Sequence, residues 1–213
     1  MKKILIISGL MLMTLGTMVQ AQNYGQDTRE NLRFGIKAGA NLANVWDAQG
    51  EDFRADPKLG FAGGLFLEIP LGKIIGFQPA LMYSQKGFKG DGTLLGSAYS
   101  LTRTTSYVDV PLLLQFKPSP FLTFALGPQY SYLVNEKNVY TFGDNSIEQE
   151  QAFNNDNIRK NVLGFLTGLD VNFSSFVISG RVGWDFQTNH GDGSSSTPRY
   201  KNRWLQVTAG LKI

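Results

Sequence analysis

The residue types with the greatest catalytic potential occur together in one segment near the end of the chain. His190 is the only histidine, and it lies close to Asp192 and to Ser194, Ser195 and Ser196. Imidazole, carboxylate and hydroxyl are the groups that hydrolases and acyltransferases use. No spacing typical of a triad is present, and a Gly/Ser-rich segment is typical of an exposed loop. We therefore predict no catalytic residue and no enzyme, and keep a lipid or peptide hydrolase or acyltransferase at a barrel rim as a second alternative.

Acidic residues in polar segments could also bind Ca²⁺, or bridge lipopolysaccharide through divalent ions. They lack EF-hand spacing, so solvated loop charges are the simpler interpretation. The chain contains no cysteine, which excludes disulfides, thiolate metal sites and a cysteine nucleophile. Nothing resembles a phosphate-binding loop. We therefore expect no metal and no cofactor. The acidic residues concerned are Asp47, Glu51, Asp52, Asp56, Glu148, Glu150 and Asp156.

The regular elements that would position these side chains are β-strands. In Tyr107–Phe116 one face is strongly apolar, and Leu122–Tyr132 repeats the pattern after a Pro-Ser-Pro turn. An alternation with a period of two is that of a strand. Six further segments alternate in the same way. The predicted strands are 33–43, 59–69, 75–86, 107–116, 122–132, 161–173, 176–186 and 204–213.

The connections between these strands alternate between long and short. The segments 44–58, 87–104, 133–160 and 188–202 are long and polar, and we predict them to be loops. An even number of strands of about ten residues, with the short turns at one end, is typical of outer-membrane barrels. The sequence predicts an all-β fold, an eight-stranded antiparallel up-and-down transmembrane β-barrel over residues 33–213. The short turns and both termini would face the periplasm of a Gram-negative bacterium.

Three prolines interrupt the predicted strands. Pro79, Pro111 and Pro128 each remove a backbone donor from the ladder. We expect a β-bulge at each of them.

The apolar face of the strands is predicted to contact lipid. Alternation alone would also fit a soluble, lipocalin-type barrel with an apolar interior. The apolar face carries no charge although 17% of the chain is charged, and a charge facing mid-bilayer costs about 2–4 kcal/mol. The opposite face mixes small residues with isolated charges, as a narrow interior requires.

Aromatic residues near both ends of the outward face predict an interfacial girdle. They are Phe34, Phe77, Phe116, Phe173 and Phe176 at the periplasmic side, and Tyr83, Tyr130, Tyr132, Trp184 and Phe186 at the outer side.

Eight charged side chains fall on the inward face: Lys37, Glu68, Lys86, Asp109, Asp170, Arg181, Asp185 and Lys212. Glu68, Asp170 and Lys212 are predicted to lie low in the barrel. Lys37 and Arg181 should lie near the middle, and the other three higher. Because buried charges need partners, we predict a ladder of ion pairs with Arg181 as its hub. Eight strands enclose too little space for a conduit, so we predict a packed plug rather than a pore.

The first residues have the features of a cleaved signal peptide. Lys2 and Lys3 precede an apolar stretch from Ile4 to Val19, and small residues precede a predicted cut after Ala21. Residues 1–21 would be removed, and residues 22–32 would form a loose periplasmic tail. No later segment is apolar for long enough to form a membrane helix.

Four segments carry a resemblance to a known family: Leu65–Leu71, Gln78–Gly87, Tyr107–Phe116 and Ala125–Leu133. They resemble the PorT-type outer-membrane β-barrel family of the Bacteroidetes. The resemblance implies an eight-strand outer-membrane barrel, and one relative is tied to secretion of cell-surface proteins. Ala80 stands where a Glu is usual in that family, and Gln115 where a Lys is usual. If those two residues normally pair inside the barrel, this chain has replaced both.

The charge balance argues against a nucleic-acid partner. Without Lys2 and Lys3, 18 basic residues face 17 acidic ones, and no basic stripe remains. We predict a non-enzymatic outer-membrane protein with a surface-binding or envelope-structural role through its extracellular loops, of which 133–160 is the longest. An accessory role in protein secretion across the outer membrane is the first alternative. The expected partners are outer-membrane lipid and lipopolysaccharide, the barrel-assembly machinery, and an unidentified surface or periplasmic protein.

Overall fold

The computed structural model describes residues 27, 29–46, 55–94, 97–142, 145–151, 158–190 and 200–213. It is an all-β structure whose strands are antiparallel throughout. The strands are β1 (Arg33–Trp46), β2 (Ala55–Pro70), β3 (Ile75–Leu94), β4 (Ser97–Phe116), β5 (Leu122–Phe142), β6 (Asn145–Gln151), β7 (Asn161–Phe173), β8 (Phe176–Asp185) and β9 (Lys201–Lys212).

Eight of these strands close into a barrel. Each pairs with its neighbours in the order β1-β2-β3-β4-β5-β7-β8-β9, and β9 pairs with β1 to close the ring. Strand β6 pairs only with the far part of β5 among the described residues. The predicted fold class, an eight-stranded antiparallel barrel, is confirmed. We call the end that carries the short turns after β2, β4 and β7 the turn end, and the opposite end the hairpin end.

The alternation of side chains places polar residues inside and apolar residues outside. On β9, Leu205 and Val207 are 46% and 52% exposed, whereas Gln206 and Lys212 are 6% and 5% exposed. A barrel that dissolves in water has the opposite arrangement. The exposed apolar side chains continue around all eight barrel strands. This surface is therefore suited to lipid.

The hairpin end is more regular than predicted. Most of the expected loop 87–104 is paired backbone, because β3 continues to Leu94 and β4 begins at Ser97. The prediction of a loop over residues 133–160 is also wrong in large part, because β5 continues to Phe142 and pairs with β6. Segments 44–58 and 188–202 are shortened by a few residues at their ends. These extensions lack an alternating apolar face because they lie beyond the apolar band, so their sequence resembles a loop.

The predicted bulges at the prolines are wrong. Pro79 pairs with Leu112 and Met82 pairs with Asp109 in one continuous register, so the ladder tolerates each missing donor without a shift. The register shifts elsewhere, once between β2 and β3 and once between β4 and β5.

The shift in β5 changes which side chains face the interior. Ser106 pairs with Asn135 and Tyr107 pairs with Leu133, which leaves Val134 as an extra residue. A bulge of this kind reverses the alternation beyond it. Glu136 is therefore turned into the barrel and is 3% exposed.

A short segment before β1 contacts the turn end. Arg29 donates to the Asp27 carboxylate at 2.7 Å and to the Lys117 carbonyl at 3.2 Å, and Lys73 lies 3.2 Å from Asp27. The hydrogen bond from Arg29 holds the pKa of the Asp27 carboxyl well below its ordinary value. The described part of the predicted tail is thus attached to the barrel, while residues 1–26 and 28, with the predicted signal peptide, lie outside the described residues.

No helix among the described segments is long and apolar enough to cross a membrane.

We expect Val207→Arg to destabilise the barrel in phospholipid vesicles by about 2–4 kcal/mol, since it places a charge on the lipid face near mid-strand. Thr102→Arg, on the outward face of β4 beyond the apolar band, is the matched control and should change the free energy of unfolding little. Urea unfolding in vesicles measures both. Equal effects of the two substitutions would show that the apolar band does not lie in lipid.

Candidate functional site

The barrel interior contains two charged compartments. The turn-end compartment is lined by Arg33, Lys37, Glu68, Lys117, Asp170, Arg181 and Lys212. The hairpin-end compartment is lined by Lys86, Tyr107, Asp109, Asp185 and Asn202. All of these side chains are at most 8% exposed. The eight predicted inward charges therefore all lie inside, distributed between the two compartments.

Two ion pairs hold the turn-end compartment together. Arg181 lies one strand away from Asp170, diagonally across the β7–β8 ladder, and donates to its carboxylate at 2.6 Å. Lys212 on β9 lies 2.8 Å from the Glu68 carboxylate on β2. That second pair spans β1, where Gly35 has no side chain to obstruct it. It therefore fastens the strands on both sides of the closing seam.

Arg181 is not the hub that the sequence suggested. Among carboxylates it contacts Asp170, and its remaining described hydrogen bonds go to the carbonyls of Leu169 and Gly180. Lys37, the other mid-barrel cation, makes no ion pair with a described residue, and its ammonium lies 5.2 Å from the Phe66 ring centroid. The described interior charges therefore form separate ion pairs rather than one network centred on Arg181.

The hairpin-end compartment is built around Lys86. Its ammonium lies 3.5 Å from the Asp109 carboxylate, which also accepts a hydrogen bond from Ser84. The same ammonium lies over the rings of Trp204 at 3.8 Å and Tyr107 at 4.7 Å. A cation in this position is stabilised by both the carboxylate and the ring faces. Strand β3 thus supplies the central charge of this compartment.

Asp185 is the second carboxylate of the hairpin-end compartment. It accepts a hydrogen bond of 2.6 Å from the side-chain amide of Asn202 on the neighbouring strand. Asn202 also exchanges hydrogen bonds with Asn189. An amide rather than a cation therefore supplies the direct bond to Asp185.

An apolar septum lies between the two compartments. It consists of Ala43, Leu113, Ala125, Leu166 and Trp204. On β4, Leu113 lies between Asp109 of the hairpin-end compartment and Lys117 of the turn-end compartment. The Trp204 ring and the Leu166 side chain both lie over Gly183, where a β-carbon would meet the ring at 2.3 Å. Sequence reasoning missed the septum, although four of its five residues, Leu113, Ala125, Leu166 and Trp204, fall at inward positions of the predicted strands.

A further cluster closes the hairpin end. Arg103 donates to the Tyr200 hydroxyl at 2.6 Å and to Asn138 at 2.8 Å, and lies 3.5 Å from the Glu136 carboxylate. Phe88 packs edge-on against Tyr200 with ring centroids 5.2 Å apart. Burial raises the pKa of Tyr200 above its ordinary value.

This cluster was also missed, because its members fall in segments predicted as loops. A signal was nevertheless present in β4, where Arg103 and Thr105 continue the inward positions of Tyr107 and Asp109. Following that alternation past the apolar band would have placed Arg103 inside.

The predicted girdle residues all lie on the outer surface. Eight of the ten are at least 38% exposed, and Phe77 and Tyr132 are partly buried. Phe173 contacts Phe176 beside the last short turn, with centroids 6.4 Å apart. Trp184 contacts Phe165 at 5.3 Å nearer the hairpin end. Two levels of aromatic residues therefore flank the apolar band.

The candidate catalytic and metal-binding groups do not form a described site. His190 forms an isolated backbone bridge with Ile158, while Asp192 and Ser194–Ser196 lie outside the described residues. Asp47, Glu51, Asp52 and Asp156 also lie outside them, and the side chains of Glu148 and Glu150 are not described. Within the described part of the chain, no three His, Cys, Asp or Glu side chains are grouped to hold a metal ion.

Asp170→Asn should destabilise the folded barrel by about 3 kcal/mol, because it leaves the buried Arg181 guanidinium without its counter-charge. Replacing both partners, as Asp170→Leu with Arg181→Met, should recover most of that loss. Asp27→Asn, which breaks an exposed ion pair, is the control and should have little effect. Urea unfolding in vesicles measures the wild type and these three variants, and a double variant that is at least as destabilised as Asp170→Asn would contradict the pairing.

Comparison with known proteins places the chain in a family. The model of the outer membrane protein beta-barrel domain family matches residues 20–189. The structure is similar to Ail, the attachment invasion locus protein of Yersinia pestis, with 13% identity, coverage of 85% of this chain and 98% of that chain, and a TM-score of 0.44. It is also similar to Neisserial surface protein A, with 14% identity, coverage of 84% and 97%, and a TM-score of 0.48. No curated protein matches the chain. With its closed eight-stranded barrel and its match over most of the sequence, the chain belongs to the outer membrane protein β-barrel domain family.

Proposed function

We propose that this chain is a non-enzymatic outer-membrane protein that binds a surface ligand or partner through the sheet at its hairpin end. One observation carries the proposal: paired strands continue well past the apolar band. On β3 the last outward aromatic residue is Tyr83, yet the strand continues to Leu94. At about 3.3 Å per residue, this is an extension of roughly 36 Å along the strand. Such a sheet is a rigid platform for recognition.

The outward residues of this platform differ in chemistry from the band below. On β4, Thr102 and Thr104 take the outward positions that Val108 and Val110 occupy in the band. On β6, Ile147 is 59% exposed. Strands with polar outward positions fit a water-facing surface rather than a lipid-facing one.

The platform faces the cell exterior in this proposal, and the turn end faces the periplasm. Outer-membrane barrels have short periplasmic turns and longer extracellular connections. The turns after β2, β4 and β7 are the short ones here. This orientation also places both termini in the periplasm.

We further infer that the chain belongs with the PorT-type barrels of the Bacteroidetes. The four segments that carry the resemblance lie mainly on β2, β3, β4 and β5, which form one continuous side of the barrel. Ala80 and Gln115 are not cross-strand neighbours, because Gln115 pairs with Gly76, four residues away from Ala80. Gln115 instead donates to Glu68 at 3.4 Å. The idea that the two positions pair inside the barrel has no support in this register.

A channel function is disfavoured by the septum and by the ring of contacts around Arg103. We expect the purified protein to show no steady conductance in planar bilayers, because apolar side chains fill the level between the compartments. A sixteen-stranded porin in the same bilayers is the positive control. Steady, voltage-independent openings of the folded protein would contradict the prediction of a packed interior.

The surface role is tested by site-specific photocrosslinking in intact cells. A photoreactive residue at Ile147 on the platform should give discrete protein or glycan adducts. The matched position is Leu71, which is 63% exposed in the turn after β2. Discrete adducts from Leu71 alone would contradict the proposal and favour an accessory role in secretion from the periplasmic side.

A further inference from the structure

The turn-end compartment carries an excess of positive charge. Its described ionisable side chains are five cations and two carboxylates, each at most 8% exposed. The cations are Arg33, Lys37, Lys117, Arg181 and Lys212, and the carboxylates are Glu68 and Asp170. The carboxylates of the hairpin-end compartment do not neutralise this positive charge, because the septum separates them from the turn-end compartment.

Both carboxylates are already engaged. Asp170 accepts from Arg181 at 2.6 Å, and Glu68 lies 2.8 Å from the Lys212 ammonium. Glu68 also accepts from the Gln78 amide at 3.2 Å. No described carboxylate is left to form an ion pair with Lys37 or Lys117.

Lys117 is the member of this group closest to the turn end. It follows the last residue of β4, and its backbone amide donates to the Ile74 carbonyl at 2.7 Å in the adjacent turn. Its side chain points inward, and its ammonium lies 3.1 Å from the position that a β-carbon on Gly76 would occupy. The residue is 4% exposed, and its ammonium makes no hydrogen bond or ion pair with a described residue. Lys117 is therefore a buried cation at the mouth without a counter-charge.

The electrostatic surroundings of Lys117 do not remove this deficit. Glu68 and Asp170 attract its ammonium, whereas Lys212 and Arg33 repel it. Deeper inside, Lys37 is in turn repelled by Arg181 and Lys212 and attracted by Asp170 and Glu68. The same two carboxylates thus face five cations. A buried charge without a partner is costly, and a bound anion would supply what the chain does not.

We propose that the turn-end compartment binds a small oxyanion of the phosphate type, with Lys117 as its direct ligand and Lys37 adding positive potential from inside. The size follows from the barrel, because eight strands leave room for a few atoms and not for a folded segment. A multiply charged anion is favoured because two ammonium groups, those of Lys37 and Lys117, have no ion-pair partner among the described residues. In the orientation proposed above, the site opens toward the periplasm, but binding itself does not depend on that orientation.

The site is tested by titrating inorganic phosphate into the full-length folded protein. The protein is held in an uncharged alkyl maltoside detergent at constant ionic strength, and binding is followed by phosphorus NMR line broadening. The wild type should bind phosphate saturably. Lys117→Gln should weaken binding by about tenfold or more, because it removes the ligating charge. Lys117→Arg keeps the charge and should bind within about twofold of the wild type.

The matched control is Lys73→Gln. Lys73 lies at the same end of the barrel, but its side chain is 56% exposed and it pairs with Asp27. The control removes the same unit of charge without touching the compartment, so its affinity should stay within about twofold of the wild type. Wild-type protein that shows no saturable binding would mean that the buried lysines lose their protons instead, and would overturn the proposal. So would equal weakening by Lys73→Gln and Lys117→Gln, which would show a diffuse charge effect.

Discussion

The absence of water in the hydrocarbon layer is the constraint on which the other features of this barrel depend. A strand that crosses lipid must turn apolar side chains outward, and it has to satisfy whatever polar groups remain within a narrow ring. Here Val207 and Leu205 are exposed, while Lys212 on the same strand is buried and paired with Glu68. The same constraint explains why glycine is needed inside. Gly35 and Gly183 leave space for the rings of Phe66 and Trp204, which would otherwise collide with a β-carbon.

The division of the interior by an apolar level shapes what the molecule can do. In the hairpin-end compartment, the Lys86 ammonium lies over the Trp204 ring of the septum. In the turn-end compartment, Arg181 is paired with Asp170. Charges on the two sides cannot neutralise one another across this layer, so each compartment has its own balance. The chemistry available to other molecules is consequently found at the two ends of the barrel and on the extended sheet, not along a central path.

The transmembrane strands and their two faces could be predicted from the sequence because lipid imposes a period of two with an uncharged outer face. Lys37, Asp170 and Arg181 were placed inside on that basis alone. The pairing of these charges could not be predicted, since it depends on register: Arg181 meets Asp170 because Gly168 is its direct neighbour on β7. The extensions of β3 to β6 were missed for a related reason. Outside lipid both faces of a strand can be polar, so the period disappears although the backbone ladder continues, and the bulge at Val134 then reverses the alternation once more.

The seam between β1 and β9 joins the first and last strands of the barrel, with Gly35 opposite Lys212. Contacts this far apart in sequence form late, since a long stretch of chain must be ordered before they can be made. Until the last strand docks, Lys212 and Glu68 have no access to each other and the polar interior remains open on one side. An unassisted, partly assembled ribbon would therefore present charges to the acyl chains. Closure of the ring is thus the step that removes the free edges of the first and last strands and encloses these charges.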